Sequence, residues 1–465
     1  MKTLLHQQDE SQNAEESISK QADNICPRIL VLSHNSFSNV RNNGKTLSAL
    51  FGKYPKDKLA QFYIQNEIPG FNICMNYFQM TDLDILYANI KFTVAKGKVI
   101  VRDDKREEEN DNVYISLEDL KGWKRLVYTM LYNRQPLAEL AREVAWRKSK
   151  WQSSELISWL DQYKPQAVFA LSSHTPFFNK IIQWVCERYE IPLFLFSTDD
   201  YTFLSSITPI AYINQLRHMR QFKKILISAK KFYAISPAMK EEYSAKFGCK
   251  NVGTLINCVP PKFGDADDEN TLSPQLRILY AGGLHLNRWK VLCTLADCLD
   301  NMRTEGYNAI LDIYCSTKPT TKILNKFEKY ETTKYKSSLN SAELAQEISK
   351  SNVLVHVESF DKKNVKATRL SISTKIPEYM TSNRMILAIG PKNIASMSYL
   401  EQHEIGLCIN SKNKSQIINK LKEFIFDETR RRGFAERAKS VASQHYNMEE
   451  IQQGLYSDLL NLSLN

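Results

Sequence analysis

The stretch "VGTLINCVPPKFGDADDENTLSPQLRILYAGG", Val252–Gly283, decides the fold. It joins one apolar run to another through Pro260 and Pro261 and the polar segment "KFGDADDENTLSPQ". Proline lacks a backbone donor, and a run of polar and turn-forming residues marks a loop, so this stretch reads as a linker. Before it, short continuous apolar runs ("RILVLSH", "LAQFYI", "AVFALSS", "PLFLFSTDD", "FYAIS") alternate with helical patterns such as "FFNKIIQWVCERYE" and "AMKEEYSAKFG". After it the same alternation returns, with "LRILYAGG", "AILDIYC", "NVLVHVE" and "MILAIG" as strands. Continuous apolar runs between helices mark parallel strands covered on both faces. The expectation is therefore an α/β chain of two doubly wound, Rossmann-like domains facing a cleft, with a helical C-terminus. The predicted boundaries are a polar tail over 1–26, a first domain over 27–259, a linker over 260–275 and a second domain over 276–440. Helices over 441–465 are expected to pack back on the first domain. Ligands in such sheets bind beyond the carboxyl ends of the strands.

Composition narrows the class. The 465 residues are 43% hydrophobic and 24% charged, with a net charge of +11. That balance suits globular domains that meet something anionic: nucleic acid, an acidic membrane surface or a phosphorylated substrate. The nine cysteines form no C-x-x-C pair, which predicts reduced, mostly buried thiols and no metal site. No apolar run is long enough to span a bilayer, and the N-terminus has no secretory apolar core, so a cytoplasmic location is expected.

"NNGKT", Asn42–Thr46, resembles the end of a phosphate-binding loop. Such a loop needs a glycine five residues before Gly44, and that residue is Asn39. A nucleoside triphosphatase site is thus disfavoured. Asn43, Gly44 and Lys45 instead read as a polar segment at the carboxyl end of the first strand, where amides at a helix N-terminus suit an oxyanion or a sugar hydroxyl.

Four stretches in order resemble the cytoplasmic glycosyltransferases of the GT-B fold, closest to the retaining family-four type of bacterial surface and capsular polysaccharide synthesis. They are "SHNSFSNVRNNGKTLSALF", "IPLFLFSTDDY", "ISPAMKEEYSAKFG" with "LINCVP", and "ILYAGGLHLNRWKVL" with "LSISTKIPEYMTSNRMILAIGP". The resemblance spans roughly residues 28 to 450. It implies an acceptor-binding first domain, a second domain that binds a nucleotide sugar, and no cofactor. Many family members carry two glutamates separated by seven residues. Here Glu378 stands at the second position and Leu370 at the first. Asn383–Met385 replaces the usual Gly-x-Pro, and Asn tolerates the left-handed backbone that Gly would supply.

The residues match that chemistry. A leaving diphosphate needs positive charge or backbone dipoles. Gly282 and Gly283 allow close backbone approach, while Arg288 and Lys290 supply charge. Lys375 and Glu378 share one helical face. The carboxylate is placed to accept from ribose hydroxyls and the lysine to meet the diphosphate. Ser373 and Thr374 are expected to cap that helix and donate to phosphate. Asp199, Asp200 and His174, at strand ends of the first domain, are the candidates to orient or deprotonate an acceptor hydroxyl. Each also has a structural alternative: helix caps, surface ion pairs or a satisfied histidine. In the family's mechanism the leaving phosphate takes the acceptor proton, which would explain why no protein nucleophile stands out. The expected acceptor is a glycan or a lipid-linked glycan. Two segments, Trp123–Arg134 and Arg217–Lys231, mix cations with apolar residues and suit a peripheral site on an anionic membrane. The rival readings are a sugar-nucleotide-binding protein or epimerase on the same fold, and a basic nucleic-acid-binding protein. The last lacks an aromatic and basic stripe across a strand set.

Overall fold

The computed structural model describes residues 26–38, 42–102, 122, 136–202, 208–256, 275–315 and 318–463. Most of the predicted linker, the N-terminal tail and the segment Trp123–Arg134 lie outside them.

Eight strands form the first sheet: β1 (Ile29–Ser33), β2 (Leu59–Tyr63), β3 (Asn76–Gln79), β4 (Lys98–Ile100), β5 (Ala167–Leu171), β6 (Leu193–Ser197), β7 (Lys231–Ala234) and β8 (Val252–Thr254). Their order is β4-β3-β2-β1-β5-β6-β7-β8, parallel throughout except for the β3–β4 pair. The second sheet holds β9 (Leu276–Ala281), β10 (Ala309–Tyr314), β11 (Thr333–Lys336), β12 (Val353–Val357), β13 (Met385–Ile389) and β14 (Leu407–Ile409). It is wholly parallel, in the order β11-β10-β9-β12-β13-β14. Every residue of β1, β2, β5 and β6, and of β12 and β13, is buried, as strands with helices on both faces must be.

Each sheet winds outward from its first strand in two directions. The winding reverses between β1 and β5, and again between β9 and β12. A crevice opens beyond the carboxyl ends at such a point, which is where side chains from different loops can meet on a ligand.

The sequence reading leaves out β3, β4, β8, β11 and β14. β4, β8, β11 and β14 are edge strands, and β3 lies beside one. An edge strand needs no continuous apolar run, and "TKYK" in β11 carries none. Asn383 has a φ of 55°, so it does adopt the left-handed backbone expected of it. The eight described cysteines are free thiols; Cys74, Cys298 and Cys315 are buried and the others partly so.

After the second sheet the chain returns to the first. The helix Glu428–His445 buries Ala438 and Ala442 against the second domain. The helix Met448–Ser463 then places Leu455 and Leu459 in the core of the first. Gln452 Nε2 donates to the Ala49 carbonyl (2.6 Å) and Tyr456 Oη to that of Leu50 (3.0 Å). Asp458 accepts from Tyr233 Oη at 2.8 Å and pairs with Lys231 at 2.6 Å.

Candidate functional site

The carboxyl end of β9 is closed by a helix from the loop after β12. Tyr379, on the helix Lys375–Met380, accepts from the Ala281 amide at 3.2 Å and donates to the Ala281 carbonyl at 3.3 Å. One buried hydroxyl thereby seats the helix beside Gly282 and Gly283. A Cβ on Gly283 would lie 2.4 Å from the His285 ring, so a side chain there would have to displace that ring. Leu286 and Asn287 follow with φ of 56° and 59°, and the helix Arg288–Thr304 begins.

Glu378 gathers two cations. Its Oε2 lies 2.7 Å from Lys375 Nζ on its own helix, and its Oε1 lies 2.6 Å from Lys45 Nζ of the first domain. Burial alone would raise the pKa of this carboxyl. Lys375 and then Lys45 outweigh burial and hold it below the usual range. Ser373 Oγ accepts weakly from the Lys375 amide (3.4 Å), and the Ser373 amide donates to Ser396 Oγ (3.0 Å). Thr374 occupies the cap position but makes no side-chain cap bond, contrary to expectation. Its own backbone is already helical (φ −59°, ψ −17°), which turns the hydroxyl away from the first-turn amides.

Arg288 does not present a free guanidinium. Its Nη2 donates to Glu358 Oε1 (2.9 Å) and Oε2 (3.2 Å). Glu358 stands just beyond β12, 2% exposed, and an unpaired carboxylate there would be costly. Burial pushes the Glu358 carboxyl up, and Arg288 offsets only part of that. His356, 3.5 Å from Glu358, is pushed down to about 3 by burial and then by Arg288, so its imidazole is neutral. Lys290 is exposed and pairs with Asp361 at 3.4 Å. Glu358 is absent from the sequence reading. The signal that picks out Asp199 and Asp200, an acid closing an apolar strand, is also present in "NVLVHVES".

The first domain contributes residues from β1, β5 and β6. His34, just past β1, also escapes the sequence reading. Its Nε2 lies 2.9 Å from Ser173 Oγ and 3.3 Å from Thr175 Oγ1, across the reversal point between β1 and β5. Burial, then the charges of Arg142 and His174, lower its pKa, so it is a neutral hydrogen-bonding group. His174 is exposed, with its ring 5.9 Å from that of Tyr201. Asp199 is exposed, near Tyr201 Oη (3.4 Å) and Thr198 Oγ1 (3.5 Å).

Asp200 departs from its expected role in acceptor chemistry. It is 1% exposed and accepts from the Thr202 amide (2.9 Å), Thr202 Oγ1 (2.7 Å) and Tyr243 Oη (3.0 Å). Arg369 of the second domain adds a contact at 3.2 Å and also grips Glu242. Four donors engage this buried carboxylate, leaving it to hold structure. Leu370, where the resemblance expects a glutamate, is buried in the first domain's core, and its carbonyl accepts from Ser236 Oγ at 2.5 Å. Asn43, Gly44 and Lys45 lie in the first turn of the helix Asn42–Phe51. Lys45, expected on the acceptor side, reaches the carboxylate assigned to the donor.

No protein-family profile matches the chain, and no curated protein matches it in sequence. Solved structures do. Sucrose-phosphate synthase from Thermosynechococcus elongatus superposes with a TM-score of 0.60 at 12% identity, over 93% of this chain and 99% of that one. Anabaena HepE in complex with UDP gives 0.60 at 13% identity, over 94% and 100%. A UDP-forming α,α-trehalose-phosphate synthase from Burkholderia vietnamiensis gives 0.60 at 11% identity, over 94% and 99%. With two largely parallel sheets in reversed winding and neighbours that match over more than nine-tenths of the chain, the chain has the GT-B fold.

The depressed Glu378 carboxyl sets a pH dependence. A carboxyl held low in the folded chain adds stability above its ordinary range, and that stability is lost as pH falls through its folded pKa. Glu378→Gln should therefore flatten the loss of stability on acidification, read by urea unfolding between about pH 7 and pH 3. Superimposable pH profiles for the variant and the natural chain would contradict the pairing.

Proposed function

We propose that this chain is a glycosyltransferase that moves a sugar from a nucleotide-sugar donor to a glycan or lipid-linked acceptor, in the synthesis of cell-surface or capsular polysaccharide. The observation that carries the reading is Glu378, a partly buried carboxylate beside the Gly282–Gly283 turn, flanked by lysines from both domains. A nucleoside diphosphate offers what such a site binds: hydroxyls for the carboxylate and negative charge for the lysines. In this reading Glu378 accepts from the ribose. Lys375 and the Gly283 amide stabilise the diphosphate as it leaves, the Gly282 amide being held by the Tyr314 carbonyl at 3.0 Å. Anabaena HepE has a solved complex with UDP-glucose, which supports a nucleotide sugar as donor.

The transfer proceeds with retention. The bond from the sugar to the diphosphate breaks, the acceptor oxygen bonds to the same carbon, and the leaving phosphate takes the acceptor proton. No protein nucleophile enters. Asp199 and His174, exposed at the strand ends of the first domain, orient the acceptor hydroxyl, and the neutral His34 supports the same region through Ser173 and Thr175. An epimerase on this fold would bind the same donor but yield no transferred product. Two results test the reading: nucleoside diphosphate release coupled to sugar transfer when nucleotide sugars and acceptors are supplied, and donor binding weakened by about 1–3 kcal/mol in Glu378→Ala. Calorimetry that finds donor affinity untouched by that substitution would remove Glu378 from the site.

The acceptor end also bears on location. No helix among the described residues is long and apolar enough to cross a membrane. The helix Pro209–Ser228 leaves the carboxyl end of β6, so its first half lies at the cleft end of the domain. That half exposes Ile210, Tyr212, Ile213 and Leu216, and Arg217, Arg220, Lys223 and Lys224 follow. Lys231 does not belong to this face, being paired with Asp458. The face suits peripheral contact with an anionic bilayer on its cytoplasmic side, with the cleft turned toward a lipid-linked acceptor. Flotation with anionic vesicles at low salt is expected to carry the chain, and Lys223→Gln with Lys224→Gln to weaken that binding. Absence of flotation would leave a water-soluble acceptor as the reading.

A further inference from the structure

The cations expected to meet the donor diphosphate are largely committed elsewhere. Arg288 Nη2 is held by the buried carboxylate of Glu358, and Lys290 faces Asp361. Of the cations assigned to that role, Lys375 alone stands at Glu378. A diphosphate carries more charge than one ammonium offsets, so a further cation is needed within reach of the ribose carboxylate.

Lys45 is placed there by its turn. A Cβ on Gly44 would lie 2.3 Å from the Ser36 carbonyl oxygen, so the helix start packs tightly on the chain at 36–38. That chain is fixed in turn, the Phe37 amide donating to Gln61 Oε1 (2.9 Å) and the Ser38 amide to Ser48 Oγ (3.0 Å). From this base the Lys45 side chain crosses between domains to Glu378 Oε1 at 2.6 Å. The carboxylate then holds two ammonium groups, one more than neutrality requires. Lys375 shares its helix, whereas Lys45 is 46% exposed and belongs to the other domain. With its side chain about half in water, Lys45 is the partner that can leave Glu378 at the smaller cost.

We propose that Lys45 is a donor-phosphate ligand that exchanges partners on binding: the ribose hydroxyls take Glu378, and the Lys45 ammonium passes to the adjacent diphosphate. The proposal rests on the donor reading above and assigns to the first domain a charge that the second lacks. The exchange keeps the lysine paired throughout. It also makes the phosphates, and not the nucleoside, the part of the donor that draws the two domains together.

Calorimetry with UDP, GDP and ADP, beside the parent nucleosides uridine, guanosine and adenosine, tests the exchange. Lys45→Gln should weaken binding of the preferred diphosphate by about ten-fold, the scale of one lost charge-assisted hydrogen bond. Its affinity for the matching nucleoside should stay level or rise, because Lys45 no longer competes for Glu378. Lys45→Arg should keep most of the diphosphate affinity. Unchanged diphosphate affinity in Lys45→Gln would overturn the proposal and leave the donor reading standing. Equal loss of nucleoside and diphosphate binding would also overturn it, by showing that Lys45 serves only to shape the site. A natural chain that binds none of the three diphosphates would overturn the donor reading itself, and this inference with it.

Discussion

A carboxylate buried at the end of a strand must be neutralised, and in this chain the neutralising group comes from the other domain. Asp200 closes β6 with almost no exposure, and Arg369 reaches it from the segment that follows β12. The same guanidinium holds Glu242, and the next residue, Leu370, enters the first domain's core. This contact keeps the carboxyl ends of the two parallel sheets together. Any site built from both sheets depends on it, because Glu378 and Lys375 come from the second domain and Lys45 from the first. It also accounts for Leu370 at the position where the sequence resemblance leads one to expect a glutamate. That stretch is occupied in joining domains, with Ser236 Oγ both capping the helix Pro237–Phe247 and donating to the Leu370 carbonyl.

The charge arrangement follows from where burial forces pairing. Glu358 and Asp200 are buried acids, so each binds an arginine, Arg288 and Arg369. Arginine suits such positions because its planar fork satisfies a carboxylate without losing its proton. The lysines remain at the rim, where Lys45 and Lys375 are partly exposed. A site of this kind is fixed by its arginines and tuned by its lysines.

Much of the fold is legible in the sequence because strands covered on both faces must be continuously apolar. β1, β5, β6, β12 and β13 announce themselves in this way. β11 does not, since one side of an edge strand has no neighbour to satisfy. In the site, the Lys375–Glu378 pair is legible because three residues along a helix bring side chains together. Lys45 is 333 residues from Glu378 and Arg369 is 169 from Asp200, so neither partnership leaves a local trace. The same distance hides which acids are buried. Asp199 and Asp200 look alike in sequence, yet one faces water and the other holds the domains together.

Hydrogen exchange of the intact chain, followed peptide by peptide with and without UDP-glucose or the nucleotide sugar it prefers, tests the account most directly. A donor bound between Glu378, the Gly282–Gly283 turn and Lys45 should slow exchange in three separated segments, 281–288, 373–380 and 42–48. Protection in those segments together, absent with the nucleoside alone from 42–48, is the predicted result. Protection confined to other parts of the chain, or none at saturating donor, would contradict a nucleotide-sugar site at this junction of the two sheets.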